Sequence, residues 1–234
     1  MSGHSKWATT RRKKETIDAK RSNNFTKLAN IISIAARSGG DPSTNFKLRI
    51  AIDKAKAYSL PKENIERSIK RGTGELAGNQ IEEITYEGFG PEGIAFIIEV
   101  ITDNRNRAAA DVKHLLTKYG GSLSGPGGVA WMFDRQGVIT LDKQSLTEEE
   151  ELALIDAGVS DIEAEDGVTL YTPLEVFEKI KTKIESLKIP IIEAAIEYVP
   201  KNKVEPKNEE TLLKLYEELE ASDDINNFYS NAAI

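Results

Sequence analysis

Residues 93–121 read "GIAFIIEVITDNRNRAAADVKHLLTKYGG", and the change of period inside this stretch sets the class of fold. From Ile94 to Ile101 the run is almost wholly apolar, which predicts a strand in the middle of a sheet. After Thr102, Asp103 and Asn104, residues suited to capping, Ala108, Val112, Leu115, Leu116 and Tyr119 recur at helical spacing on one face, and Gly120 and Gly121 stop the helix. Strand signals stand on either side, in "IEEITYEGFG" before it and "GGVAWMFDRQGVITL" after it. Beyond them "TEEEELALIDAG", "IEAEDGVTLYTP", "PLEVFEKIKTKIESLK" and "PIIEAAIEYVPK" alternate helix, strand, helix, strand. This order predicts compact α+β modules, each an antiparallel sheet with helices on one face. The tail "NEETLLKLYEELEASDDINNFYSNAAI" reads as a helix and a final extended segment. Its return to the first module would make the module between them an insertion.

Upstream the chain is helical. In "SNNFTKLANIISIAARSGG", Phe25, Leu28, Ala29, Ile32 and Ala35 form one apolar stripe, with Ser22 or Asn23 as the expected N-cap and Gly39 past the end. "TNFKLRIAIDKAKAYS" offers Leu48, Ala51, Ile52 and Ala55 to cover that stripe. In "LPKENIERSIKRG" Ile65 and Ile69 stack at i, i+4 between Pro61 and Gly72. "TGELAGNQ" follows as a linker. The expected fold class is therefore α+β: a basic helical domain of three helices over 1–76, a middle α+β domain over 77–134 plus 205–234, and an inserted acidic α+β domain over 135–204.

Charge divides along the same line. Residues 1–74 hold 17 Lys and Arg against 6 Asp and Glu, a net +11, while the remainder holds 14 against 32, a net −18, which together make the −7 of the 234-residue chain. An asymmetry on this scale points to an anionic partner for the first third. The candidate phosphate contacts are Lys6, Arg11, Arg12, Lys13, Lys14, Lys20, Arg21, Lys27, Lys47, Lys54, Lys56, Arg67, Lys70 and Arg71, since cations of this density suit nucleic-acid backbones. Trp7, set among them, suits either stacking on a base or packing against the bundle. No helix presents a set of base-reading Asn, Gln and Arg, so sequence-specific major-groove readout has no support from residue pattern. Shape-directed RNA binding needs only cations and backbone geometry.

Catalytic readings find little. The chain has no cysteine and only His4 and His114, so thiolate and histidine metal sites are not expected, nor is any cofactor or small-molecule substrate. "GFGPEG" matches a glycine-rich phosphate loop in letters, but a strand follows it instead of a helix, and a hairpin turn is the expected reading. Glu148 to Glu151 read as the acidic first turn of a helix rather than a metal site. His114 is expected to be an exposed or semi-buried polar residue. No apolar run reaches the roughly 18 residues of a membrane span, so a cytoplasmic setting without a membrane partner is expected. In "TDNRNR" the free N–H groups of a helix start, with Asn104, Arg105 and Arg107, are a candidate seat for a phosphate or carboxylate.

Six segments together carry a resemblance: "GHSKWA", "DAKRSNNFTKL", "AIDKAKAYSLPKENIERSIKRGTGE", "YEGFGPEGIAFIIEVITDNRNRAAADVKHLLTKYGGSL", "VAWMFDRQGVI" and "DDINNFYSNAAI". Over nearly its whole length the chain resembles the YebC family, which includes the mitochondrial translational activator of cytochrome oxidase subunit I. The resemblance implies a bacterial cytoplasmic protein of three domains, the middle one split. It implies DNA binding, from the family's label as transcriptional regulators, or a role in translation, from its mitochondrial branch and from bacterial members linked to ribosomes stalled on proline-rich sequence. Two departures stand out: "SLSGPGG" carries Pro126 where the family runs into Gly-Ser-Val, and "WATTRRKK" replaces "WANIKHRK" while keeping its cations. Residues and resemblance lead to one expectation: a non-enzymatic, nucleic-acid-binding regulator of gene expression, with a ribosome-associated RNA role preferred. A sequence-specific DNA regulator is the alternative, and a protein-interaction scaffold the second.

Overall fold

The computed structural model describes residues 21–76, 81–164 and 167–234, with the backbone alone for 21–24. Three helices come first: α1 (Arg21–Ala36), α2 (Phe46–Ala57) and α3 (Lys62–Gly72). Leu28, Ile32 and Ala36 of α1 meet Leu48, Ala51, Ile52 and Ala55 of α2, Leu60, and Ile65 of α3 in one buried cluster. Each such aliphatic side chain contributes about 1.5–3 kcal/mol when fully buried. Ser22 and Asn23 lie inside α1, which takes in Arg21 ahead of them, so neither is its N-cap. Asn45 pins two helices at once: its Oδ1 accepts from Leu48 N at 3.1 Å, capping α2, while its Nδ2 donates to the carbonyls of Ala35 and Gly39 at 2.8 Å each.

Helices α1 and α3 approach closely, and Gly72 is the reason they can. A Cβ there would lie 2.2 Å from the Ser33 carbonyl oxygen and 2.7 Å from the Ala36 Cβ. Beside this contact Ser33 Oγ donates to the Ser68 carbonyl at 2.9 Å. Gly72→Ala is expected to cost about 1–3 kcal/mol by overpacking, seen as a lower denaturation midpoint. An unchanged midpoint would show that the two helices are free to separate.

The first sheet contains β1 (Glu82–Phe89), β2 (Ala95–Thr102), β3 (Ser122–Ser124) and β8 (Ile225–Ser230) in the order β3-β1-β2-β8, all antiparallel. Helix α4 (Arg105–Lys118) follows β2, and α7 (Glu209–Ala221) precedes β8. Phe96, Ile98 and Val100 of β2, with Ile94 just ahead of it, enter a core with Ala108, Val112 and Leu116 of α4 and Leu212, Leu215 and Leu219 of α7. The apolar run of β2 is buried on its other face too, where Ala95 and Ile97 meet Val129, Phe133 and Tyr229.

The second sheet, in the order β5-β6-β4-β7, takes β4 (Phe133–Leu141), β5 (Asp161–Glu163), β6 (Thr169–Thr172) and β7 (Ile191–Pro200), again all antiparallel. Helices α5 (Glu148–Ala157) and α6 (Phe177–Ser186) cover one face, with Leu154, Ile180 and Ile184 packed on Ile139 and Leu170. The protein is thus α+β: N-terminal helices, then two small antiparallel sheets with helices. No described helix is long and apolar enough to cross a membrane.

Candidate nucleic-acid interface

Core packing decides which side of each basic helix faces solvent. Burial of Leu48, Ala51, Ile52 and Ala55 turns Lys47, Lys54 and Lys56 of α2 outward, and burial of Ile65 and Ser68 does the same for Arg67 and Lys70 of α3. Lys56 lies 3.9 Å from Asp53, both about two-thirds exposed, an ion pair too solvated to hold the lysine away from another anion. Arg49, which the Lys47 and Lys54 spacing passes over, is exposed as well and stands seven residues before Lys56, so α2 carries cations along two flanks. That second i, i+7 pair was the signal available in the sequence. Lys6, Trp7, Arg11, Arg12, Lys13, Lys14 and Lys20 lie outside the described residues, as does the side chain of Arg21.

Two of the expected phosphate contacts face inward. Lys27 is half-buried and its Nζ donates to the Glu220 carbonyl at 2.7 Å; an Arg71 guanidinium nitrogen pairs with Asp103 at 2.9 Å. Both sit where α1 and α3 meet the end of β2 and the tail, and they clamp the bundle to the first sheet.

The start of α4 belongs to the same clamp. Asn104 is its N-cap, its Oδ1 accepting from Arg107 N at 3.0 Å. The Arg107 guanidinium binds Asp224 at 2.8 Å and Asp103 at 3.3 Å, so Arg71, Asp103, Arg107 and Asp224 form one alternating chain of charge. The hydrogen bond to Asp224 is the main reason the Arg107 pKa is raised. Of the three residues expected to converge on an external anion, Arg107 is therefore engaged by the protein's own carboxylates and Asn104 by capping. Arg105 is exposed, with its carbonyl accepting from the Tyr86 hydroxyl at 3.2 Å.

"GFGPEG" is the hairpin turn between β1 and β2, closed by Gly90 N donating to the Ile94 carbonyl at 2.8 Å. Glu148–Glu151 open α5 behind a Thr147 cap, with Glu150 completing a capping box and paired to Lys143. His114 is exposed. Among the described residues no group of three or more His, Asp or Glu is placed to hold a metal ion.

The family models describe the same two parts of the chain. The TACO1/YebC N-terminal domain matches residues 5–75, and the TACO1/YebC second and third domain matches residues 81–232. The chain belongs to the TACO1/YebC family. A "probable transcriptional regulatory protein" of Thermoanaerobacter pseudethanolicus is 48% identical over 240 residues, covering 100% of this chain and 98% of the relative. One of Chlorobaculum parvum is 50% identical over 240 residues, covering 100% and 96%. The crystal structure of a conserved hypothetical protein from Aquifex aeolicus superposes with a TM-score of 0.76 at 40% identity, covering 92% of this chain and 91% of that one.

Within this TACO1/YebC chain, the Pro126 departure makes a defined turn. Gly128 N donates to the Gly125 carbonyl at 3.1 Å, with Pro126 at the first central position and Gly127 at φ 81°, the geometry of a type II turn. Glu87 holds the loop from β1: its carboxylate accepts from Gly127 N at 2.7 Å, Val129 N at 2.8 Å and Ala130 N at 2.7 Å. Just beyond, Trp131 stands 68% exposed. Burial tends to raise the Glu87 pKa, yet the three backbone donors together outweigh it and hold the carboxyl below its ordinary value. A depressed folded pKa contributes stability that is present above the unfolded carboxylate pKa and lost as pH falls through the folded one. Glu87→Ala is expected to cost about 2–4 kcal/mol, because hydrogen bonds to a charged acceptor are lost together. It should also flatten the acid limb of the stability profile. An acid limb identical to the parent's would mean that the loop holds without Glu87.

Proposed function

We infer that this TACO1/YebC-family protein is a non-enzymatic, cytoplasmic regulator of gene expression that binds nucleic acid through its N-terminal helices, and that its target is RNA in a ribosomal setting. The observation that carries this is the outward set Lys47, Arg49, Lys54, Lys56, Arg67 and Lys70, on helices whose opposite faces form a core. Such a surface suits phosphates, whose neutralisation releases counterions. The exposed polar residues of α2 and α3 are Lys, Arg, Asp and Glu, without exposed Asn or Gln to pair with adenine, so backbone contact is favoured over base readout. The division into 1–76, 77–134 with 205–234, and 135–204 puts the basic surface on one unit and leaves the two acidic ones for other contacts. It draws support from β8 lying beside β2 in the first sheet.

The names of the relatives favour a second reading, a sequence-specific transcriptional regulator. Sequencing the nucleic acid crosslinked to the protein in its own cells separates the two. Ribosomal RNA or transfer RNA is the expected product; recovery of a few promoter sequences, with no cosedimentation of the protein with ribosomes, would establish the second reading.

A further inference from the structure

The outer face of α2 holds more than cations. Phe46, Ile50 and Tyr58 are 58%, 51% and 51% exposed, although the opposite side of the helix buries four apolar residues. At 3.6 residues per turn Phe46, Ile50, Asp53 and Ala57 fall on one ridge, apolar except for Asp53. Lys47 and Lys54 run along one flank toward Tyr58, which caps the helix, and Arg49 and Lys56 run along the other. Each flanking pair is separated by about two turns, roughly 10 Å. The Arg49 guanidinium already lies over the Phe46 ring, 5.1 Å from its centroid.

We propose that this face is a stacking platform for the unpaired bases of a single-stranded nucleic-acid segment. The inference rests on the reading of the bundle as the nucleic-acid surface and names the form of nucleic acid it takes. A duplex offers phosphates outward and keeps its bases stacked inside, so it would satisfy the lysines but leave Phe46 and Ile50 against charged backbone. An unpaired strand satisfies both: its bases stack on Phe46 and Tyr58, while its phosphates reach the cations on the two flanks. Arg49, planar and seated on Phe46, extends the stack through cation–π contact. Charge sets the occupant, because the ridge lies between rows formed by Lys47, Arg49, Lys54 and Lys56, against which α2 sets one carboxylate, Asp53 on the ridge itself.

The test measures binding of the full chain, at one low salt concentration, to a short unstructured oligouridylate, to its deoxythymidine counterpart and to a duplex of equal length. Phe46→Ala with Tyr58→Ala is expected to weaken binding of both single strands by about tenfold or more, the loss of one or two stacks, and to leave the duplex affinity unchanged. Phe46→Trp should retain single-strand binding, and Phe46→Leu, which keeps apolar bulk without a ring, should lose it. Both side chains are exposed, so thermal melts of these variants should match the parent. Equal losses on duplex and single strand would overturn the proposal. So would undiminished single-strand binding in the double variant; if Lys47→Gln with Lys54→Gln still weakened it, the bundle would remain the nucleic-acid surface without stacking. Absence of binding to every nucleic acid, or binding only to an anionic vesicle or an acidic peptide, would overturn both readings.

Discussion

Replacing Lys47, Lys54, Arg67 and Lys70 together by Glu is expected to lower the affinity of the full chain for RNA by about a hundredfold or more at moderate salt. The magnitude follows from counterion release, in which a protein with six to ten phosphate contacts loses about 10³–10⁵ in affinity between 50 and 200 mM salt, so each contact carries a sizeable factor. Reversal also adds repulsion, which four neutral substitutions would not. All four side chains are exposed and none contributes to the bundle core, so the fold should be nearly unaffected. Binding by filter retention or anisotropy, with a thermal melt as the control for folding, measures both halves. Affinity within a few-fold of the parent would place the nucleic-acid surface elsewhere on the chain.

Arg107→Ala is expected to lower stability by removing a group that two carboxylates share. Asp224, whose side chain is only 15% exposed, takes two guanidinium nitrogens at 2.8 and 3.2 Å, and Asp103 shares the same group. Removing Arg107 leaves two carboxylates close together with Arg71 alone to balance them. Loss of one partner of a fully buried pair costs about 3–5 kcal/mol, and half-exposure of Arg107 reduces this to about 2 kcal/mol. The measurement is a double-mutant cycle. Asp224→Asn in the Arg107→Ala background should cost much less than Asp224→Asn alone, since the asparagine no longer forfeits an ion pair. Additive losses would show that the clamp contributes no coupling between α4 and the tail. Arg105→Ala, at an exposed position of the same motif, should leave stability unchanged.

The contrast between Arg105 and Arg107 shows where local reading of the sequence ends. Apolar spacing gave the helices and their buried faces, as with Leu48, Ala51, Ile52 and Ala55 in α2 and Ala108, Val112 and Leu116 in α4, because a helix meets its core at a fixed period. Turn chemistry was equally legible: "GFGPEG" has the glycines and proline of a hairpin connection, and it forms one. The inward cations were not legible. Lys27 reaches a carbonyl 193 positions away with nothing near it in sequence to mark it; Arg107 has a local cue in Asp103, four residues before it, but its main partner is a carboxylate 117 positions away. The same limit hid the nest around Glu87, whose three donors come from a loop about 40 residues downstream. Exposure of Phe46, Ile50 and Tyr58 could be seen only once the stripe on the other side of α2 had been assigned to the core.

The most direct test of the central claim, that the N-terminal helices hold nucleic acid by its phosphates, is the dependence of RNA affinity on salt for the full chain and for its Lys47→Gln and Lys54→Gln variants. Log affinity is expected to fall linearly with log salt, and each exposed lysine neutralised to reduce the steepness by about one, with the weakening uniform across RNA sequences. Affinity that ignores salt, or a slope unchanged by neutralising these lysines, would contradict that claim.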